Sequence, residues 1–221
     1  MFNFIRFRES SVIVRIYTEQ YGLKNYLVNS VRSTKPRFPV SFFQPLTLLD
    51  MLVYNKPHAD INRVAEIKCI NPYHSIPFDV LKSTVCLFLT EILYKILSEE
   101  ESNKDLFEFL INSFDFYDKK ETHFLNFHLQ FLIKLTGFLG IAPHNADEMI
   151  NEIKSSGSTS LISKGEKDLM DRLIRLPYQE YVELSNLRRR KLLGLTVHYY
   201  QHHFDYISEI KSYRILREVF D

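Results

Sequence analysis

Arg32, Lys35 and Arg37 stand in the stretch YLVNSVRSTKPRF, Tyr26 to Phe38, which contains no acidic residue. Cations spaced this closely, with no carboxylate to pair them, suit an anion, and the chemistry they offer is electrostatic. They can neutralise phosphates along a flexible strand while an aromatic side chain stacks on its bases. Arg6, Arg8, Arg15 and Lys24 precede them. Tyr26 falls on the same strand face as Arg32 by parity and is the candidate base platform. Against this stands the ordinary exposure of Lys and Arg, with Tyr26 or Phe38 in the core.

A second basic run, LRRRKLL from Leu187 to Leu193, places Arg188, Arg189, Arg190 and Lys191 around most of a helix. It could contact phosphate or an acidic peptide. Such runs are more often solvated or paired within the chain, here with the acidic middle segment, SEEES included. His198 and His202 in VHYYQHHF have the i, i+4 spacing that lets two imidazoles share a metal ion. A third ligand is missing unless Asp205 turns in, so the pair reads as partly buried histidines. His128, between Phe127 and Phe131, reads as core. Cys69 and Cys86 form no ligand pair and no disulfide framework, and read as buried thiols. No GxSxG, P-loop or GxGxxG is present, so no catalytic residue, metal or cofactor is expected.

The elements that would carry these residues change character along the chain. Up to Ile70 there are ten Lys/Arg against five Asp/Glu; from Asn71 to Ile150, six against twelve; beyond that, twelve against ten. The charge asymmetry hides within a net charge of +1 over 221 residues and favours an anionic ligand for the first segment. There SVIVRIYT alternates with period two, and FNFIRF, NYLVNSVR, LTLLDMLVY and RVAEIKCI are short runs separated by turn formers. Five short strands predict a small barrel, for which the OB-fold is the common solution. After NPYHSIP the period is helical. Helices are predicted over Phe78–Ile96 with Ser75 as N-cap, Lys104–Tyr117 with Asn103, His123–Leu139 with Thr122, then near Glu166–Arg175, Tyr178–Asp205 and Lys211–Phe220. The expected fold is α+β: a five-stranded OB-fold barrel over 1–72, then an all-helical domain over 73–221 with a flexible loop near 155–165. No apolar run approaches membrane-spanning length and the N-terminus has no h-region, so a cytoplasmic, nucleoid-associated protein is expected.

YTEQYGLKNYLVNSVRSTKPRF, FQPLTLLDMLVY, EIKCINPYHSIPFDVLKSTVCLFLTEILYKIL, NFHLQFLIKLTGFLG and the closing ILREVF resemble, in order, segments of the bacterial recombination mediator family RecO. The resemblance covers nearly the whole chain and implies an N-terminal OB-fold and a helical C-terminal domain. It also implies binding of single- and double-stranded DNA, annealing of complementary strands, and loading of a recombinase onto DNA coated by single-strand DNA-binding protein. The implied partners are RecR and the acidic C-terminal tail of single-strand DNA-binding protein. For that tail the candidate residues are Phe127, Phe131 and Lys134, or Arg188 to Lys191. Relatives usually carry a further segment before the point where this chain begins, so Met1 reads as an internal or alternative start and the first strand as truncated. Some relatives hold a four-cysteine zinc module, which two cysteines do not supply. The expected protein is a zinc-free, monomeric, non-enzymatic mediator. The competing class is a protein-interaction scaffold whose helical domain docks partners without touching DNA.

Overall fold

The computed structural model describes residues 1–56, 59–97, 102–155, 162–177, 179–204, 206–207 and 209–220. The chain divides into two compact units, Met1–Lys119 and Lys120–Asp221.

The first unit begins with five strands: β1 (Asn3–Phe7), β2 (Ser11–Thr18), β3 (Gly22–Val28), β4 (Leu49–Tyr54) and β5 (Ile61–Cys69). Their order is β1-β2-β3-β5-β4, with β3 parallel to β5 and every other pair antiparallel. This is the OB-fold arrangement, left open because among the described residues no ladder joins β1 to β4. Period two in β2 buries Val12, Val14 and Ile16, which meet Val28, Val31, Phe38, Phe43 and Ile67 in the barrel core. Gly22 ends the β2–β3 turn at φ 61°, a left-handed conformation that costs a glycine little. The Thr18 hydroxyl closes the turn by donating to the Gly22 carbonyl at 3.0 Å.

Two irregularities shape the basic segment. The β3–β5 ladder is only three pairs long, Asn25–Leu27 against Ile61–Arg63. On the other side of β5, the register with β4 moves from Leu52↔Glu66 to Val53↔Val64, which leaves Ala65 without an opposite residue, as in a β-bulge.

Two helices complete this unit, α1 (Val80–Ile96) and α2 (Lys104–Lys119). Asn103 caps α2 as expected, its Oδ1 accepting from the Leu106 amide at 2.9 Å. The expected cap of α1 is different. Asp79 accepts from the Lys82 amide at 3.1 Å, while Ser75 is drawn to Asp118 at the end of α2. The Asp118 carboxylate accepts from the backbone amides of His74, Ser75 and Ile76 at 2.7–2.8 Å, and the buried Lys82 ammonium donates to the Asp118 carbonyl at 3.0 Å. Burial alone would raise the Asp118 carboxyl pKa. The amides of His74, Ile76 and Ser75, with the Ser75 hydroxyl, outweigh it and hold the group below its ordinary value. Phe78, predicted to begin α1, lies before the helix and is 84% exposed.

The second unit contains α3 (Phe127–Phe138), α4 (Ala146–Ser155), α5 (Lys164–Arg175), α6 (Asn186–His203) and α7 (Lys211–Val219). Leu129, Met149, Met170, Leu173, Leu192 and Leu195 are among its core residues. The sequence reading contained no counterpart of α4. It also began α3 and α6 too early. The residues before α6 are not helical, they bury Val182 and Leu184, and side chains satisfy three of their carbonyls: Gln130 takes that of Glu180, Asn126 that of Val182 and Arg189 that of Leu184. Asn126 is thereby committed and makes no side-chain cap on α3. Ser163 and Ser185 cap α5 and α6, the former in a reciprocal capping box with Glu166. Of the predicted loop near 155–165, residues 156–161 lie outside the described residues, as do Asp205 and residues 98–101 of SEEES. None of the described helices is long and apolar enough to cross a membrane.

Candidate nucleic-acid interface

The loop after β3 is built from both sides. Val31 and Phe38 insert into the barrel core, which pins residues 29–38 and turns Arg32, Lys35 and Arg37 outward to exposed positions. The Arg32 amide donates to the Ser10 carbonyl at 3.0 Å, fastening the loop to the β1–β2 turn two residues from exposed Arg8. At the far end Arg37 Nη2 donates to the carbonyl of the bulged Ala65 at 2.7 Å. A β-bulge leaves its extra residue outside the ladder, and the short β3–β5 pairing leaves this stretch of β5 open to the loop. Arg63, exposed on β5 two residues away, adds a cation to the same rim. Two exposed acids adjoin these residues in sequence, Glu9 beside Arg8 in the β1–β2 turn and Glu66 beside Ala65 on β5.

The rim therefore joins Arg8, Arg32, Lys35 and Arg37, with Arg6 exposed on the neighbouring β1. The other expected contacts go elsewhere. Arg15 is half-buried with its guanidinium 4.7 Å from the Tyr94 ring centre of α1, a cation–π contact within the unit. Lys24 is half-buried on β3. Tyr26 is not on an outer face with Arg32: it is 0% exposed, packed with Val14, Val28 and Ile67, and burial pushes its hydroxyl pKa up. Its ring offers no face to a base because the inward parity of β3 selects it, while Arg32 lies beyond the end of the strand.

The sequence reading missed the outer face of β4. Along LDMLVY the exposed positions are Asp50, Leu52 and Tyr54, and Tyr54 is 66% exposed. Its cross-strand partner is Arg63. Alternation around Asp50 was the available signal.

The expected partner residues of the helical unit divide sharply. Phe127 and Phe131 are buried, their rings 5.7 Å apart, and present nothing to a partner. The Lys134 ammonium donates to the Ile174 carbonyl at 2.5 Å, and burial lowers its pKa. Arg189 is 4% exposed and donates to Asn126 at 2.7 Å, Asn186 at 2.9 Å and Leu184 at 3.3 Å; burial lowers its pKa. It also acts on His128, whose burial, with the Arg189 charge, pulls the imidazole pKa down to about 3. Lys191 pairs with Glu166 of α5 at 2.8 Å, and Arg188 is exposed. Arg190 lines a cleft of about 360 Å³ with Lys191, Tyr213 and Arg217, beside apolar Ile162 and Leu195. Of the two spaced histidines, His198 is exposed and His202 half-exposed, while His203 Nε2 lies 2.8 Å from Glu152 Oε2.

Residues 2–73 match the family description "Recombination protein O N terminal" and residues 77–208 match "Recombination protein O C terminal". The chain is 34% identical to the DNA repair protein RecO of Flavobacterium psychrophilum over 226 residues, 98% of this chain and 94% of that one. It is 32% identical to the DNA repair protein RecO of Bacteroides fragilis over 230 residues, 98% and 95% of the two chains. The DNA repair protein RecO of Porphyromonas gingivalis is more distant, at 26% identity over 238 residues. With both family regions matched in order along an OB-type sheet and a helical second unit, the chain belongs to the RecO recombination protein family.

Proposed function

We propose that this chain is a non-enzymatic recombination mediator in DNA repair. It binds single- and double-stranded DNA and anneals complementary strands. It works in the cytoplasm as a monomer with RecR, and helps load a recombinase onto DNA coated by single-strand DNA-binding protein. The observation that carries this reading is the rim of Arg8, Arg32, Lys35 and Arg37, held by the Ser10 and Ala65 carbonyls at the edge of the barrel. Annealing requires no bond to be made or broken in the nucleic acid backbone. It requires only that cations offset the repulsion between two phosphate chains while the bases remain free to pair. Titration with labelled oligonucleotide at several salt concentrations tests the reading, since phosphate contacts make affinity fall steeply with salt.

The acidic, apolar-ended tail of single-strand DNA-binding protein is assigned to the cleft of Arg190, Tyr213 and Arg217, where the two arginines accompany apolar Ile162 and Leu195 and Lys191 is paired with Glu166. Phe127, Phe131 and Arg189 are left out of this assignment because the protein interior already uses them.

A scaffold reading draws support from one place. Phe78, Val80 and Leu87 are exposed beside a cleft of about 480 Å³ lined by Pro45, Tyr73, Pro77 and Leu87, an apolar surface of the kind that docks protein. Oligonucleotide affinity indifferent to salt would favour it.

A further inference from the structure

Resting on the reading that the barrel binds nucleic acid, we propose that Tyr54 is the base-stacking platform of the barrel and that Arg63 takes the adjoining phosphate of the same single strand. A rim of cations alone tracks a backbone and leaves bases unsupported, whereas single-strand sites pair a basic path with aromatic faces. Tyr26 cannot supply that face, being fully buried. Tyr54 is 66% exposed on the edge strand β4, with Leu52 of β4 and Ile61 of β5 also exposed.

The link to the basic rim is geometric. Tyr54 stands opposite Arg63 in the ladder, and two residues further along β5 the carbonyl of Ala65 holds Arg37 Nη2 at 2.7 Å. Two residues of strand span about 6.6 Å, close to the spacing of successive phosphates along an extended nucleic acid chain. Tyr54 on β4, Arg63 on β5 and Arg37 at Ala65 therefore form one path across β5, with Arg32 and Lys35 beyond on the β3 side.

Charge sets the direction of the strand. Leu52 faces Glu66 and Asp50 faces Lys68, so the Leu49 end of the β4–β5 face carries carboxylates balanced by one lysine, and Asp60 stands just before β5 at the Tyr54 end. A polyanion is thus directed across β5, from Tyr54 on the β4 side toward the loop of Arg32 and Lys35 on the β3 side, rather than along the ladder in either direction. The occupant argued for is single-stranded nucleic acid, because an exposed ring beside an arginine accepts any base by stacking and needs no hydrogen-bond code.

The chain contains no tryptophan, which makes Tyr54→Trp a clean reporter. In full-length protein its emission should be quenched on addition of oligothymidylate, and Tyr54→Phe should bind as the parent does. Tyr54→Ala should weaken oligothymidylate binding about 5- to 100-fold, with the salt slope and melting temperature unchanged. Parental affinity in Tyr54→Ala, or emission from Tyr54→Trp that oligothymidylate leaves unmoved, overturns the platform. If either occurs while the alanine variants of Arg32 and Lys35 still flatten the salt slope, only the platform fails. Absence of salt-dependent oligonucleotide binding by the parent protein overturns the barrel reading and the platform together.

Discussion

Arg37 donates from Nη2 to the carbonyl oxygen of Ala65 at 2.7 Å, tying the end of the basic loop to the bulge in β5. One guanidinium therefore combines two tasks, since the bond uses one of its five N–H groups and leaves the charge and the remaining donors at the surface. Arg32 and Lys35 are anchored through backbone alone: the Arg32 amide reaches Ser10, and the Lys35 carbonyl accepts from the Ser33 hydroxyl at 2.9 Å.

This separates the three cations by stability. Arg37→Ala should lower the melting temperature by about 2 °C, whereas Arg32→Ala and Lys35→Ala should leave it unchanged within error. Thermal unfolding of the single variants checks this. Equal, negligible shifts for all three would mean that the Ala65 contact contributes nothing to folding.

Asp118 offers a pH test in the first unit. Its folded pKa is depressed, so the stability it contributes is present above the unfolded carboxylate value of about 3.9 and is lost as pH falls through the folded value. The gap in melting temperature between the parent and Asp118→Asn should hold constant from pH 7 to pH 5 and narrow below about pH 4. A gap unchanged at pH 3 would remove the claim that the amides of His74, Ser75 and Ile76 stabilise a carboxylate.

Within LRRRKLL, neighbouring residues should behave oppositely. Arg189→Ala strips donors from Asn126, Asn186 and the Leu184 carbonyl in a buried setting and should cost about 2–4 kcal/mol. Arg190→Ala should stay within about 0.5 kcal/mol but weaken binding of an acidic, apolar-ended peptide several-fold, more so when combined with Arg217→Ala. Denaturant melts and peptide titration at low salt read the two effects. A peptide that does not bind the parent at all would remove the tail assignment without touching the barrel.

Much of this architecture was legible in the chain because the relevant signals are local. Val12, Val14 and Ile16 alternate with the less buried Ile13 and Arg15 in β2; Asn103 precedes α2 and caps it; Lys104 begins the helix. The errors have a common cause, since periodicity identifies a face without saying what covers it. Parity put Tyr26 with Arg32, but Tyr26 turns inward and the strand ends at Val28 before Arg32 is reached. Val182 and Leu184 were read into a helix, although an i, i+2 pair of apolar residues also fits a non-helical segment, and this one is held by Gln130, Asn126 and Arg189 from distant parts of the chain. Helical spacing extends back to Phe78, yet the Asp79 cap starts the helix at Val80, two residues later. The Ala65 bulge and its bond to Arg37 depend on a register between strands, which no local pattern contains.

The most direct test is the salt dependence of single-strand binding by the parent and by the combined Arg32→Ala, Lys35→Ala, Arg37→Ala variant. Each phosphate neutralised on single-stranded DNA contributes about 0.7 to the slope of log affinity against log salt, so losing three contacts should flatten that slope by roughly 2. A combined variant that keeps the parental slope would contradict the assignment of this loop to nucleic acid and leave it a solvated connection between β3 and β4.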